Sequence, residues 1–311
     1  MIKINRVSSL RSAVQAARNE KKHIGFVPTM GNLHEGHLEL VRIAKSRCEF
    51  VVVSIYVNPT QFGENEDLDA YPSTPDEDAR QLAELDVDVL FLPSQEVMYP
   101  GDLNSQTVVY VPKLGELYCG KNRPEHFNGV TTVVSRLFNM VAPNIAVFGM
   151  KDYQQLTIIK QMVRDLAYPV QVVGVDTVRN EQGLALSSRN GYLSELELES
   201  ASELRNTLVS IAEQIEELDG RSGLNKTQIE KLRRNAKARL KRVGFEPHYV
   251  DICDQATLLA PKFEKKSASG DSPQADLNWV VLAAAVLGKA RLIDNIEVNI
   301  KRKRKAVTQV S

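Results

Sequence analysis

The segment Pro28–His37, PTMGNLHEGH, combines residue types that act on a polyphosphate. His34 and His37 stand three apart, so on the first turn of a helix they face one way and can touch the same phosphates. Gly31 and Gly36 lack the side chain that would hold a ligand away from the backbone. The segment follows an apolar run, Ile24–Pro28, and opens a helical pattern, His37–Cys48. In an open α/β sheet that junction is where a nucleotide phosphate meets the unpaired amides of a helix N-terminus. The plainer alternative is an ordinary strand–helix turn with two exposed histidines. Zinc chemistry fits less well, because HEGH is one residue short of the metalloprotease spacing H-E-x-x-H. Farther on, Leu184–Asn190 reads LALSSRN. The hydroxyls of Ser187 and Ser188 and the guanidinium of Arg189 suit phosphate oxygens, which arginine can bind bidentately. By itself this is a polar loop; together with HEGH it reads as a second phosphate-binding segment.

These residues need a scaffold to position them. Ile24–Pro28, Phe50–Val57, Val87–Leu92, Ile145–Phe148 and Val170–Val175 are short, apolar and β-rich, as strands buried on both faces of a parallel sheet are. Between them His37–Cys48, Thr74–Leu85, Thr131–Val141 and Tyr153–Leu166 read as helices. The alternation predicts a Rossmann-like, doubly wound α/β domain over residues 1–176. Leu10, Ala13, Val14 and Ala17 form a helical stripe, so the N-terminal stretch is expected to be a first helix of that fold. The second half changes character. Two charged amphipathic helices, Glu195–Leu218 and Thr227–Val243, are expected around a turn at Asp219–Asn225. Three strand-like segments follow, Pro247–Ile252, Trp279–Val286 and Arg291–Val298, giving a smaller C-terminal α+β lid domain over 177–300. Lys262–Asp276 is expected to be a mobile hairpin insertion, and 301–311, which opens with KRKRK, a basic disordered tail.

Composition narrows the function. With 311 residues the chain can bury two cores. Lys plus Arg and Asp plus Glu both number 39, which argues against a general nucleic-acid binder. No aromatic residue lies near the basic tail to stack a base, so an RNA-binding module is the weaker reading. The apolar runs are too short to span a bilayer. Cys48, Cys119 and Cys253 are far apart and odd in number, as reduced thiols of a cytoplasmic protein are.

The H-x-G-H spacing resembles the nucleotidyltransferase superfamily, in which both histidines contact the ATP triphosphate. The resemblance becomes specific through five blocks in order: PTMGNLHEGH, VNPTQF (Val57–Phe62), RPEHFNGV (Arg123–Val130), FGMKDYQQL (Phe148–Leu156) and GLALSSRNGYL (Gly183–Leu193). In wording and spacing these resemble the pantothenate synthetases over nearly the whole chain. The resemblance implies that Met30, Gly31, Asn32, Leu33, Glu35 and Gly36 line an ATP site, with His34 a phosphate contact and His37 the proton donor. It implies that Gly149, Met150, Lys151 and Asp152 continue that site, Lys151 neutralising phosphate charge and Asp152 helping to hold Mg²⁺. Met150 departs from the acidic residue expected there, a change that a backbone contact would survive. Val178, Leu186, Ser187, Ser188 and Arg189 would complete the nucleotide pocket. Gln61 and Gln155 would hold pantoate, since a carboxamide offers both donor and acceptor. Asn58 and Tyr71 would border the β-alanine site, and Arg123 with His126 the pyrophosphate or substrate entrance.

The implied reaction is ATP-dependent condensation of pantoate with β-alanine through pantoyl adenylate, with Mg²⁺, in a cytoplasmic homodimer. The rival is another small H-x-G-H nucleotidyltransferase that adenylates a phosphate. Such an enzyme shares HEGH and the second loop but has no use for the Gln61 and Gln155 pair.

Overall fold

A computed structural model describes residues 1–63, 66–221, 224–263 and 276–301. Residues 264–275 of the expected insertion, and 302–311 of the basic tail, lie outside the described residues. The chain divides into two compact units, 1–181 with 185–188, and 182–184 with 189–311.

The first unit runs β1 (Ile2–Ile4), α1 (Val7–Asn19), β2 (Ile24–Thr29), α2 (Glu35–Lys45), β3 (Phe50–Ile55), α3 (Pro75–Glu84), β4 (Val89–Phe91), the short α4 (Gln95–Met98) and α5 (Tyr118–Asn122), α6 (His126–Val141), β5 (Ile145–Gly149), α7 (Tyr153–Asp165) and β6 (Gln171–Val175). Its six strands are all parallel in the order β1-β4-β3-β2-β5-β6. The strand run reverses direction at β2, whose neighbours are β3 on one side and β5 on the other. A ligand crevice opens at such a switch point, beyond the carboxyl ends of the strands. Val27, Val51, Val53, Leu90, Val147 and Val173 pack beneath Leu40, Val41, Ala79 and Leu82 of α2 and α3. On the opposite face Phe138 of α6 meets Phe26 and Phe148 edge-on.

The second unit holds α8 (Glu195–Ala201), α9 (Glu203–Arg221), α10 (Lys226–Arg242), β7 (Glu246–Asp254), β8 (Leu277–Leu287) and β9 (Ala290–Ile300). The strands form an antiparallel β7-β8-β9 sheet. Leu208, Ile215, Leu232 and Leu240 of the helices share its core with Val250, Trp279 and Val281.

The α/β class and the small antiparallel second sheet agree with the sequence reading; several boundaries do not. β1 was not read as a strand: it has three residues, one of them Lys3. α6 starts at His126 rather than Thr131, behind Glu125 in a left-handed conformation. The expected helix Glu195–Leu218 is two helices. The Ser200 hydroxyl takes the Leu196 carbonyl (2.9 Å), a local bond that competes with continuing a helix. α9 then runs through Asp219 to Arg221, into the expected turn.

Candidate active site

The loop after β2 is built from short-range bonds. Thr29 donates its hydroxyl to the Ser54 carbonyl (2.8 Å) and accepts the Gly31 amide (3.3 Å). Gly31 and Asn32 are consecutive left-handed residues, φ 84° and 49°. A Cβ on Gly31 would lie 3.0 Å from Ile55 and 3.1 Å from Asp78, so glycine serves both conformation and space here. The amides of Asn32 and Leu33 donate to the Asp78 carboxylate at 2.9 and 2.8 Å. Leu33 anchors the loop in the core under α2.

His34 caps α2, with its Nδ1 accepting the Gly36 amide (3.1 Å). His37 Nδ1 accepts the His34 amide (3.4 Å), which completes a capping box made of imidazoles. The rings lie 4.1 Å apart. Because both Nδ1 atoms accept, the hydrogen-bond network puts each neutral ring's proton on Nε2. Burial, together with the Lys151 charge, lowers the pKa of His34 to about 4. Burial, His34 and Lys151 lower that of His37 to about 3. At neutral pH both are uncharged donors. The sequence reading expected unpaired amides at this helix N-terminus. Instead the amides of Gly31, Asn32, Leu33, His34 and Gly36 all have partners within the protein. Alongside the Glu35 amide, the helix start therefore offers the two imidazole Nε2–H groups. Glu35 turns its carboxylate to Arg42.

β5 runs beside β2, with Phe26 opposite Ala146, and ends at Gly149. The next turn, Met150–Asp152, carries Lys151, whose Nζ is 4.0 Å from the Asp152 carboxylate. The Lys151 charge is felt by both histidines. Met150 packs its side chain beside Gly174. The loop following β6 folds back on itself. Leu186 donates its amide to the Val178 carbonyl (3.0 Å), and Arg179 pairs with Ala185. Ser188 donates its hydroxyl to the Asn32 carbonyl (3.3 Å), and Leu186 lies beside Gly36, so these two residues meet the HEGH loop. Arg189 falls in the second unit.

The glutamines differ in their surroundings. Gln61 ends a short 3-10 turn, Pro59–Gln61, and its Nε2 reaches the Met30 sulfur (2.9 Å), a weak acceptor. Its carbonyl accepts from His126 Nδ1 (2.7 Å) and Arg123 (3.3 Å). Arg123 is itself paired with Glu66, at 2.6 and 2.5 Å, and touches His126 Nε2 (3.0 Å). Burial and the Arg123 charge push His126 down to about 4, so it too is neutral, with Nδ1–H aimed at Gln61. Asn58 is 1% exposed. It bonds Gln61 (3.2 Å), the Gly129 carbonyl (3.1 Å), Thr60 (3.0 Å) and Tyr99 (2.9 Å). The position of Asn58 is behind Gln61, not open to a ligand. Tyr71 stands edge-on to Phe62, centroids 5.8 Å apart. Gln154 is buried, bonding the Cys119 amide (3.0 Å) and the Leu114 and Leu117 carbonyls (both 2.8 Å). Half-buried Gln155 has no hydrogen-bond partner for its carboxamide among the described residues, leaving it free for a ligand.

The sequence reading did not single out Asp78, Glu66, Tyr99 or Gly129. Gly129 lies in the quoted RPEHFNGV block, where its closeness to Thr60 has no local sign. Asp78 stands in an acidic first helical turn, a pattern that helix capping alone explains.

The family model for pantoate–β-alanine ligase matches residues 2–297. Pantothenate synthetase of Pseudomonas putida is 48% identical over 300 residues, covering 96% of this chain and 98% of that one. The crystal structure of pantothenate synthetase from Thermus thermophilus is 41% identical with a TM-score of 0.82, covering 96% and 99% of the two chains. That of pantoate–β-alanine ligase from Francisella tularensis, complexed with beta-gamma ATP and β-alanine, is 33% identical with a TM-score of 0.72 and coverage of 96% and 97%. On these matches the chain belongs to the pantoate–β-alanine ligase family.

Proposed function

We infer that the chain uses ATP to adenylate pantoate and then passes the pantoyl group to β-alanine, giving pantothenate, AMP and pyrophosphate. The observation that carries the reading is the family match over residues 2–297, which spans every residue invoked below.

A carboxylate condenses with an amine only after its oxygen has become part of a good leaving group. In the first step the pantoate carboxylate attacks the α-phosphorus of ATP and expels pyrophosphate. Negative charge grows on the departing oxygens, and this chain's part is to place donors there in advance. His34 and His37 contribute Nε2–H groups that need no proton uptake. Lys151 contributes positive charge, and Ser187, Ser188 and Arg189 are read as further phosphate contacts. Neutral imidazoles suit this role, since they donate without adding a third charge beside Lys151. In the second step the amine of β-alanine attacks the acyl carbon and AMP leaves. Gln155 with its free carboxamide, and Gln61 held from behind, are assigned to the hydroxyls and carboxylate of pantoate. Tyr71 is assigned to the β-alanine side.

The residues fit Mg²⁺ as an ion that arrives with the nucleotide. Among the described residues no group of three His, Cys, Asp or Glu could hold a metal, whereas the half-exposed Asp152 offers one carboxylate. Mg²⁺ is commonly bound by one or two carboxylates plus substrate phosphates. Asp152 would hold it, and when bound it would neutralise phosphate charge. The homodimer and the cytoplasmic setting are supported by the family resemblance. No helix among the described residues is long and apolar enough to cross a membrane.

The reading is tested by supplying ATP, Mg²⁺, pantoate and β-alanine and following products by mass spectrometry. Equal amounts of AMP and pantothenate are expected. Adenylyl transfer to a phosphate-bearing acceptor, with pantoate inert, would sink the reading in favour of the rival nucleotidyltransferase.

A further inference from the structure

Asp78 is 1% exposed, on a helix whose other buried positions are Ala79 and Leu82. A buried carboxylate is costly to desolvate unless well bonded, and an apolar side chain would fill the same space more cheaply. It is fully bonded. Oδ2 accepts the Asn32 amide (2.9 Å), and Oδ1 accepts the Leu33 amide (2.8 Å) and the Thr74 hydroxyl (2.9 Å). The two amides belong to the left-handed turn at Gly31 and Asn32, directly ahead of His34. Among the described residues no other group accepts these two amides: without the Asp78 carboxylate the buried Leu33 N–H and the half-buried Asn32 N–H would lose their partner, and the turn would relax to find others.

We propose that Asp78 is a positioning residue for adenylyl transfer. By holding the Asn32 and Leu33 amides it fixes the turn that sets His34 and His37 with Nε2–H outward. This assignment rests on the adenylation reading. Asp78 touches no substrate and acts through the loop.

Asp78→Asn tests this with almost no change of shape, because the new amide group would point N–H at N–H on one of the two loop bonds. Turnover in pantoate-dependent pyrophosphate exchange should fall about tenfold or more, as expected when reacting groups shift by a fraction of an ångström. Conversion of supplied pantoyl adenylate with β-alanine should stay within about threefold of the unaltered enzyme, since no pyrophosphate leaves in that step. Equal losses in both half-reactions, or no loss in either, would overturn the assignment. Thr74→Val, which leaves both loop amides bonded, provides a second variant should Asp78→Asn not fold. It should show the same selectivity with a smaller drop, and an equal loss in both steps would again count against the assignment. Ring ¹⁵N spectra supply a readout independent of the reaction. Both imidazoles should be Nε2–H in the unaltered protein, and the two tautomers should mix in Asp78→Asn. If the unaltered enzyme showed no exchange, the proposed function would fall, and the ring spectra would still decide the role of Asp78.

Discussion

Gly129 gives the most exacting test of how the substrate side is held. It lies in α6 against the turn Pro59–Gln61. A Cβ at that position would stand 2.2 Å from the Thr60 carbonyl oxygen and 2.7 Å from the Gln61 amide nitrogen, both backbone atoms. Gly129→Ala therefore forces a retreat from 2.2 Å to at least 3.0 Å, about 0.8 Å. The turn cannot move alone. The Gln61 carbonyl is held by His126 (2.7 Å) and Arg123 (3.3 Å), and Asn58 bridges Gln61 to the Gly129 carbonyl (3.1 Å). A displacement near 1 Å in a positioning group costs on the order of a hundredfold in rate. Overpacking of this kind costs about 1–3 kcal/mol of stability, so the variant should still fold. In steady-state assays kcat/KM for pantoate is expected to fall about a hundredfold, while the KM for ATP changes by less than about threefold. Unchanged pantoate saturation, or a loss confined to ATP, would show that Gln61 does not set the pantoate site.

The neighbouring glutamines should separate cleanly. Gln155→Ala should leave thermal stability within about 0.5 kcal/mol and weaken pantoate by about 1–3 kcal/mol. Gln154→Ala should do the reverse, since Gln154 holds the Cys119, Leu114 and Leu117 backbone; thermal scans with pantoate titrations check both. For pH, the folded imidazoles of His34, His37 and His126 sit at about 4, about 3 and about 4, below their ordinary value of 6.5. Between those limits the unfolded chain binds more protons, so the stabilisation is present above pH 6.5 and is lost as pH falls towards 4 and 3. NMR titration of the ring nitrogens in the ligand-free enzyme should find midpoints well under 6.5; ordinary midpoints would refute the neutral-imidazole account.

The layout was legible because its signals are local. Apolar runs such as Phe50–Ile55 and the stripe Leu40, Val41, Ala44 carry the parallel sheet and its helices in their own periodicity. The HEGH spacing likewise gave the loop and both histidines. What escaped depends on contacts distant in sequence. Asp78 meets Asn32 across 46 residues, and Asn58 meets Gly129 across 71. Nothing within either segment announces the partner. Asn58 is expected to border the β-alanine site; what the resemblance does not carry is its near-complete burial and its bond to Gln61, which make it a support for that glutamine. The histidines were expected to add to a row of free amides. Their Nδ1 atoms instead occupy two of those amides, of His34 and Gly36, and spacing alone does not reveal which ring nitrogen is engaged.

The central claim is that adenylation is complete before the amine arrives. Exchange of labelled pyrophosphate into ATP, measured with Mg²⁺ and pantoate but no β-alanine, tests it most directly. The account predicts exchange that requires pantoate and proceeds without β-alanine, because the adenylate forms reversibly at the His34, His37 and Lys151 site. Exchange that required β-alanine, or that ran equally well without pantoate, would contradict it.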